Sequence, residues 1–171
     1  NMAYGHHPPL SRMAAVQNGI GLAEELARPC ATSAQGFHAT SPTLIRAGAG
    51  AGKSWLTLQV LSALCSSKLS GAGYLPLLIP IQRLAHIIRQ QGALDTSNRA
   101  SETLIEWFIN AEYGAGTRRK MLLDAFRSQR LIILLDGVDE AVDLKDEIQL
   151  VIRSTLLRHQ HRFLVTSRPE G

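Results

Sequence analysis

Cysteine is scarce in this sequence: among 171 residues only Cys30 and Cys65 carry a thiol, and they form no Cys-x-x-Cys pair. So few cysteines exclude a disulfide-stapled scaffold and make a reducing intracellular compartment, the cytoplasm by default, the expectation. Long apolar runs are missing too. No stretch approaches the roughly 18 uncharged apolar residues that a membrane-spanning helix needs, and Arg12 is not followed by an apolar signal-peptide segment. Cationic runs are equally absent. Eighteen Lys and Arg against 14 Asp and Glu leave a net charge of +4, without the long basic tract of a dedicated nucleic-acid arm. The six histidines, among them His6-His7 and the pair His159 and His161, lack Cys or acidic partners at zinc-ligand spacing. No internal repeat occurs.

What is present is a core. Hydrophobic residues make up 45% of the chain and charged ones 19%, a balance that excludes wholesale disorder. The length suits one ordinary domain and not two. Residues 1–42 are rich in Ala, Gly, Pro, Ser and His, with Leu10, Met13, Val16, Ile20 and Leu26 near helical spacing before Pro29. We read them as an N-terminal helical and loop attachment to a core spanning 43–171. From Pro42 onward short apolar runs alternate with helical patterns. Residues 43–46, 75–81, 131–135 and 163–165 read as four buried strands, and strands separated by helices imply a parallel α/β sheet. Residues 55–69 are apolar on nearly every side, which predicts a helix packed on the sheet and covered by neighbours. The insertion between the second and third strands reads as three helices, 82–90, 101–112 and 117–127.

The run Ala47-Gly48-Ala49-Gly50-Ala51-Gly52-Lys53-Ser54 falls where a strand ends and a helix begins. Small residues there let the backbone curl so that its N–H groups converge, and the helix N-terminus adds its positive dipole end to the same anion hole. In that setting Lys53 spans the β and γ phosphates of a nucleotide and the Ser54 hydroxyl is a Mg²⁺ ligand. The strict phosphate-loop pattern has Gly at the first position, where this chain has Ala47; the looser form admits either.

A second element follows in Leu131-Ile132-Ile133-Leu134-Leu135-Asp136-Gly137-Val138-Asp139-Glu140. Asp136 ends a buried strand on the edge where ligands collect in open α/β sheets, so its carboxylate can hold a metal through water. Asp139 and Glu140 lie on the loop beyond. Either can orient an attacking water, or both can serve as acids favouring the dipole of the next helix.

Together with the extended strand Tyr74-Leu75-Pro76-Leu77-Leu78-Ile79-Pro80-Ile81 and the closing Phe163-Leu164-Val165-Thr166-Ser167-Arg168-Pro169, these motifs resemble the NACHT family of P-loop NTPases, found in NOD-like receptors and related signalling proteins. The resemblance covers roughly residues 43–170, and Asp-Gly-apolar-Asp-Glu is its most specific element. It implies a three-layer P-loop NTPase fold with sheet order 1-4-3-2. Lys53 and Ser54 match the Walker A residues, Asp136 the Walker B metal carboxylate, Asp139 and Glu140 the acidic pair associated with hydrolysis, and Arg168 the sensor arginine that reads the γ-phosphate. The implied ligands are ATP or ADP with Mg²⁺. No Asn/Thr-Lys-x-Asp guanine-reading motif occurs, which favours ATP over GTP. The sequence stops within the sensor motif. On this reading it is an excerpt of a longer polypeptide, lacking the fifth strand and the helical and winged-helix regions that close over the nucleotide, with an open first-strand edge and marginal solubility alone.

Other residues read plainly. Arg118-Arg119-Lys120 fit a solvated face better than a phosphate-backbone contact. Trp107 and Phe108 fit a helix buried on the sheet better than a base-stacking platform. Arg162, just before the last strand, is either a surface residue or a second phosphate contact. The leading functional reading is an ATP-operated switch with slow hydrolysis that rearranges flanking domains or other subunits and can oligomerise on activation. A nucleic-acid-dependent motor, favoured by the net positive charge, and a non-catalytic scaffold module, disfavoured by the intact Lys53, Ser54, Asp136 and Glu140, are the alternatives.

Overall fold

The computed structural model describes residues 19–28, 42–66, 73–90, 104–157 and 161–169. Its strands are β1 (Thr43–Arg46), β2 (Leu75–Pro80), β3 (Leu131–Asp136) and β4 (Arg162–Ser167). All pair in parallel, in the order β1-β4-β3-β2. This is the expected order 1-4-3-2. The last strand lies between the first and the third, so Thr43 is level with Leu164 and Ile133 with Phe163.

Strand β3 explains why the sheet needs helices on both faces. Its side chains from Leu131 to Leu135 are all buried, which in a pleated strand requires cover above and below. Ile132 and Leu134 join Leu164 under Val60 and Leu64 of helix α2 (Lys53–Leu64) and under Leu22 and Leu26 of helix α1 (Gly19–Ala27). Leu131, Ile133 and Leu135 face the other way. They pack with Leu77, Ile79, Phe163 and Val165 beneath helices α3 (Ile81–Gln90), α4 (Leu104–Tyr113) and α5 (Thr117–Arg127). Ile148 of helix α6 (Lys145–Val151) closes the same cluster. Between β3 and α6 the chain makes two 3₁₀ turns, Val138–Glu140 and Val142–Leu144, and after α6 a wider π turn, Ile152–Leu157.

Several local expectations shift. Helix α2 begins two residues before the apolar pattern does, because Gly52 hands the chain directly to Lys53; positions 67–69 lie outside the described residues. It is not covered all round. Trp55 is 66% exposed and Leu58 48% exposed, while Thr57, Val60 and Leu64 face inward. Among the described residues only α1 flanks α2, so an apolar composition that suggests full burial is met on one side. The outer edge of β1 likewise has no paired strand among the described residues, and Leu44 is half exposed. Helix α4 starts at Leu104; 101–103 lie outside the described residues, as do Leu10, Met13, Val16, Pro29, Cys30, His6, His7 and His159. Trp107 and Phe108 are buried against the sheet. Arg118 and Lys120 are exposed. Arg119 is half-buried and donates to Asn110 Oδ1 at 3.3 Å, joining α5 to α4. No helix among the described residues is long and apolar enough to cross a membrane.

Candidate functional site

Register collects the singled-out residues on one edge of the sheet. Arg46 is level with Ser167 and Leu135 with Val165, so Ala47, Asp136 and Thr166 all lie at the C-terminal ends of their strands. The Ala47 N–H continues the ladder past the end of β1 by donating to Ser167 O at 3.2 Å. Strands β1 and β3 each flank β4. Their ends are therefore two strand spacings apart, roughly 10 Å.

Between β1 and α2 the chain from Gly48 to Gly52 is exposed. It turns tightly, with Ala51 N–H donating to Gly48 O at 3.3 Å and positive φ at Gly50 (72°) and Gly52 (80°). A side chain at either position would be strained, which is the physical use of glycine there. The turn delivers the first N–H groups of α2, which have no intrahelical acceptors, to the same edge. Half-buried Lys53 folds back over the loop. Its Nζ donates to Ala47 O at 2.8 Å and Gly48 O at 3.1 Å, so the ammonium is held above the loop backbone. Ser54 is exposed in the first turn of α2.

Asp136 reaches α2 through Thr57. The Thr57 hydroxyl lies 3.1 Å from Lys53 O and 3.3 Å from Asp136 Oδ1. Ser54 sits three residues earlier in the helix and thus on the same side, one turn nearer the loop. Asp136 also accepts a hydrogen bond from the Thr166 hydroxyl at 2.6 Å, again on Oδ1. Its other carboxylate oxygen has no protein partner among the described residues. Gly137 N–H donates to Thr166 Oγ1 at 2.9 Å, which ties the turn after β3 to β4.

Asp139 and Arg168 are brought together, and Glu140 is kept apart. Asp139 Oδ2 lies 2.8 Å from Arg168 Nε, and its Oδ1 accepts the Arg168 backbone N–H at 3.0 Å. The Asp139 side chain is 8% exposed and that of Arg168 50%. Glu140 is exposed. Both acids sit in a 3₁₀ turn, with α6 starting only at Lys145. The option of helix N-terminal acids therefore gives way for Asp139 to a specific ion pair. Farther along, Arg89 of α3 clamps both oxygens of Asp143, at 2.7 and 2.8 Å. That hydrogen bonding lowers the Asp143 pKa from its ordinary value.

Neither option offered for Arg162 holds. Arg162 is 8% exposed and sits at the start of β4, five residues and about 17 Å from the loop edge. Its Nη1 donates to Leu26 O and Arg28 O, both at 2.7 Å, and its guanidinium lies 4.3 Å from the Tyr74 ring centroid. It caps the C-terminus of α1, where a cation meets exposed carbonyls and the negative end of the dipole. Sequence position could not show this, because α1 lies 134 residues earlier than its cap.

Two site residues escaped the sequence reading, Thr57 and Thr166. The available signal was a hydroxyl at a buried position: Thr166 follows Phe163-Leu164-Val165 in a buried strand and is 0% exposed, and Thr57 is 1% exposed. Buried hydroxyls require partners. A groove of about 610 Å³ lined by Tyr74, Lys120, Asp124, Ser128 and Arg130 lies at the N-terminal ends of β2 and β3. It is on the sheet edge opposite the loop and does not belong to this site. No group of three or more His, Cys, Asp or Glu side chains suited to a metal occurs among the described residues; the oxygens near Asp136 come from a carboxylate and hydroxyls. Compared with protein-family models, with curated proteins and with solved structures, the chain has no match.

Proposed function

We propose that this domain is an ATP- and Mg²⁺-binding switch of the NACHT type, in which slow hydrolysis resets a nucleotide-dependent arrangement of flanking domains or subunits. One observation carries the reading. A glycine-rich turn leads from a parallel strand into the N-terminus of α2, and that helix touches, through Thr57, the carboxylate ending the strand two positions away. Phosphate oxygens suit this edge because the turn and first helical turn present N–H groups there while Lys53 adds a cation. Mg²⁺ suits it because Ser54 and Asp136 offer hard oxygen donors, with one Asp136 oxygen unengaged among the described residues. When bound, the metal supplies charge neutralisation on the phosphates.

The chain's own residues then divide the work. With nucleotide bound, Lys53 would exchange its two carbonyl partners for phosphate oxygens. Ser54 and Asp136 would hold the metal, Asp136 through water. Asp139 and Glu140 would orient or deprotonate a water, and Arg168 would meet the γ-phosphate by leaving Asp139.

Purified protein is denatured and the released small molecules identified, and affinity for ATP is measured for the parent and Lys53→Ala. Loss of one charge-assisted contact corresponds to about 1.5–3 kcal/mol, a weakening of about 10- to 150-fold. Equal affinity in the variant would overturn the phosphate-loop assignment.

A further inference from the structure

We propose that Thr166 is a positioning residue for the Asp136 carboxylate: its hydroxyl holds one oxygen of Asp136 so that the other is presented to Mg²⁺. This deepens the nucleotide-site reading and rests on it.

The geometry leaves the Thr166 hydroxyl no other arrangement. It has one proton and is fully buried on β4. Its oxygen accepts the Gly137 N–H at 2.9 Å, so the proton is left for Asp136 Oδ1, at 2.6 Å. That distance lies in the short range of hydroxyl-to-carboxylate bonds. The β-branched side chain has few χ1 choices, which stiffens the contact. Thr57 approaches the same Oδ1 at 3.3 Å, but its one proton has a competing acceptor in Lys53 O at 3.1 Å. Thr57 is therefore the weaker second hold. Both hydroxyls lie on Oδ1, and Oδ2 has no protein partner among the described residues. A carboxylate pinned by one oxygen cannot rotate freely about its last bond, and a ligand pre-set in this way loses less entropy when a metal binds. The relay also joins the turn at Gly137 to β4, so the metal carboxylate, the acidic turn and the strand leading to Arg168 share one hydrogen-bonded junction.

Thr166→Val keeps the shape and removes the hydroxyl; Thr166→Ser keeps the hydroxyl. ATP affinity of each intact variant is measured calorimetrically with saturating Mg²⁺ and again in EDTA. We expect Thr166→Val to lose about 10-fold in affinity with Mg²⁺ and less than about 2-fold in EDTA, with Thr166→Ser within about 3-fold of the parent in both. In an Asp136→Asn background, Thr166→Val should remove nothing further from the Mg²⁺-dependent part, because the effect runs through that carboxylate. If Thr166→Val does not fold, Thr57→Val is expected to show the same split at about 3-fold. Equal losses with and without Mg²⁺, or a full additional loss in the Asp136→Asn background, would make Thr166 merely structural and overturn the inference alone. A parent protein that binds no ATP overturns both the phosphate-loop reading and this inference.

Discussion

Replacing Arg162 by Met tests whether the buried guanidinium ties α1 to the sheet. The arginine makes two hydrogen bonds from Nη1 at 2.7 Å, one to Leu26 O in the last turn of α1 and one to Arg28 O just beyond it, and it stacks 4.3 Å from the Tyr74 ring. Hydrogen bonds to a charged group contribute about 1.5–3 kcal/mol each, and a largely desolvated cation–π contact adds about 0.5–2 kcal/mol. The sum overstates the loss. Removing the whole guanidinium also removes its own desolvation cost, and the Arg28 carbonyl can turn to water, as Arg28 is exposed. Methionine moreover fills much of the same space. We therefore expect about 2–4 kcal/mol, seen as a lower denaturation midpoint. If α1 separates before the sheet melts, the denaturant slope should fall and amide exchange should rise first in residues 19–27, since Leu22 and Leu26 then leave Val60 and Leu64. Arg162→Lys should lose an intermediate amount, because an ammonium cannot both serve the two carbonyls and lie flat on the ring. A Met variant within about 0.5 kcal/mol of the parent, the scatter of an ordinary surface substitution, would refute the capping argument. A variant of parental stability whose ATP affinity falls tenfold or more would restore the phosphate-contact reading.

Three other outcomes are expected. Asp139→Asn and Glu140→Gln should each lower single-turnover hydrolysis by at least about tenfold while changing ATP affinity far less, because a water-orienting carboxylate acts in the transition state; equal losses of rate and binding would count against that role. Gly137→Ala should destabilise the protein by about 1–3 kcal/mol in thermal melts, since φ is 78° and the added methyl would lie 2.9 Å from the Glu140 carboxyl; an unchanged melting temperature would show that Glu140 and the turn relax freely. Asp143, whose pKa is lowered chiefly by its hydrogen bonds to Arg89, contributes stability that is present above its unfolded pKa and lost as pH falls through its folded pKa. Arg89→Gln should raise the Asp143 titration midpoint followed by NMR, and an unchanged midpoint would show that the ion pair does not persist in solution.

Features governed by neighbours along the chain are legible in the amino-acid sequence. The five-residue apolar run ending at Asp136 can be satisfied only by a strand covered on both faces, and β3 is that strand. Gly52 followed by Lys53 marks a helix start because the glycine takes a backbone conformation that other residues resist. The expected strand order 1-4-3-2, with the last strand beside the first, is the order the sheet has. Tertiary structure alone decides the partners. Arg168 and Asp139 are 29 residues apart, Thr166 and Asp136 30, and Arg162 and Leu26 136. Asp136, Asp139 and Arg168 each stand in a legible local motif, but nothing local pairs these groups; they are joined because strands adjacent in space are distant in the chain. The same limit explains α2: its composition records that apolar surface is available, and the placement of its neighbours decides that Val60 is covered while Trp55 is exposed. Periodicity reports which residues avoid water; a buried charge or hydroxyl obtains its meaning from the group that satisfies it, and that group is supplied by the fold.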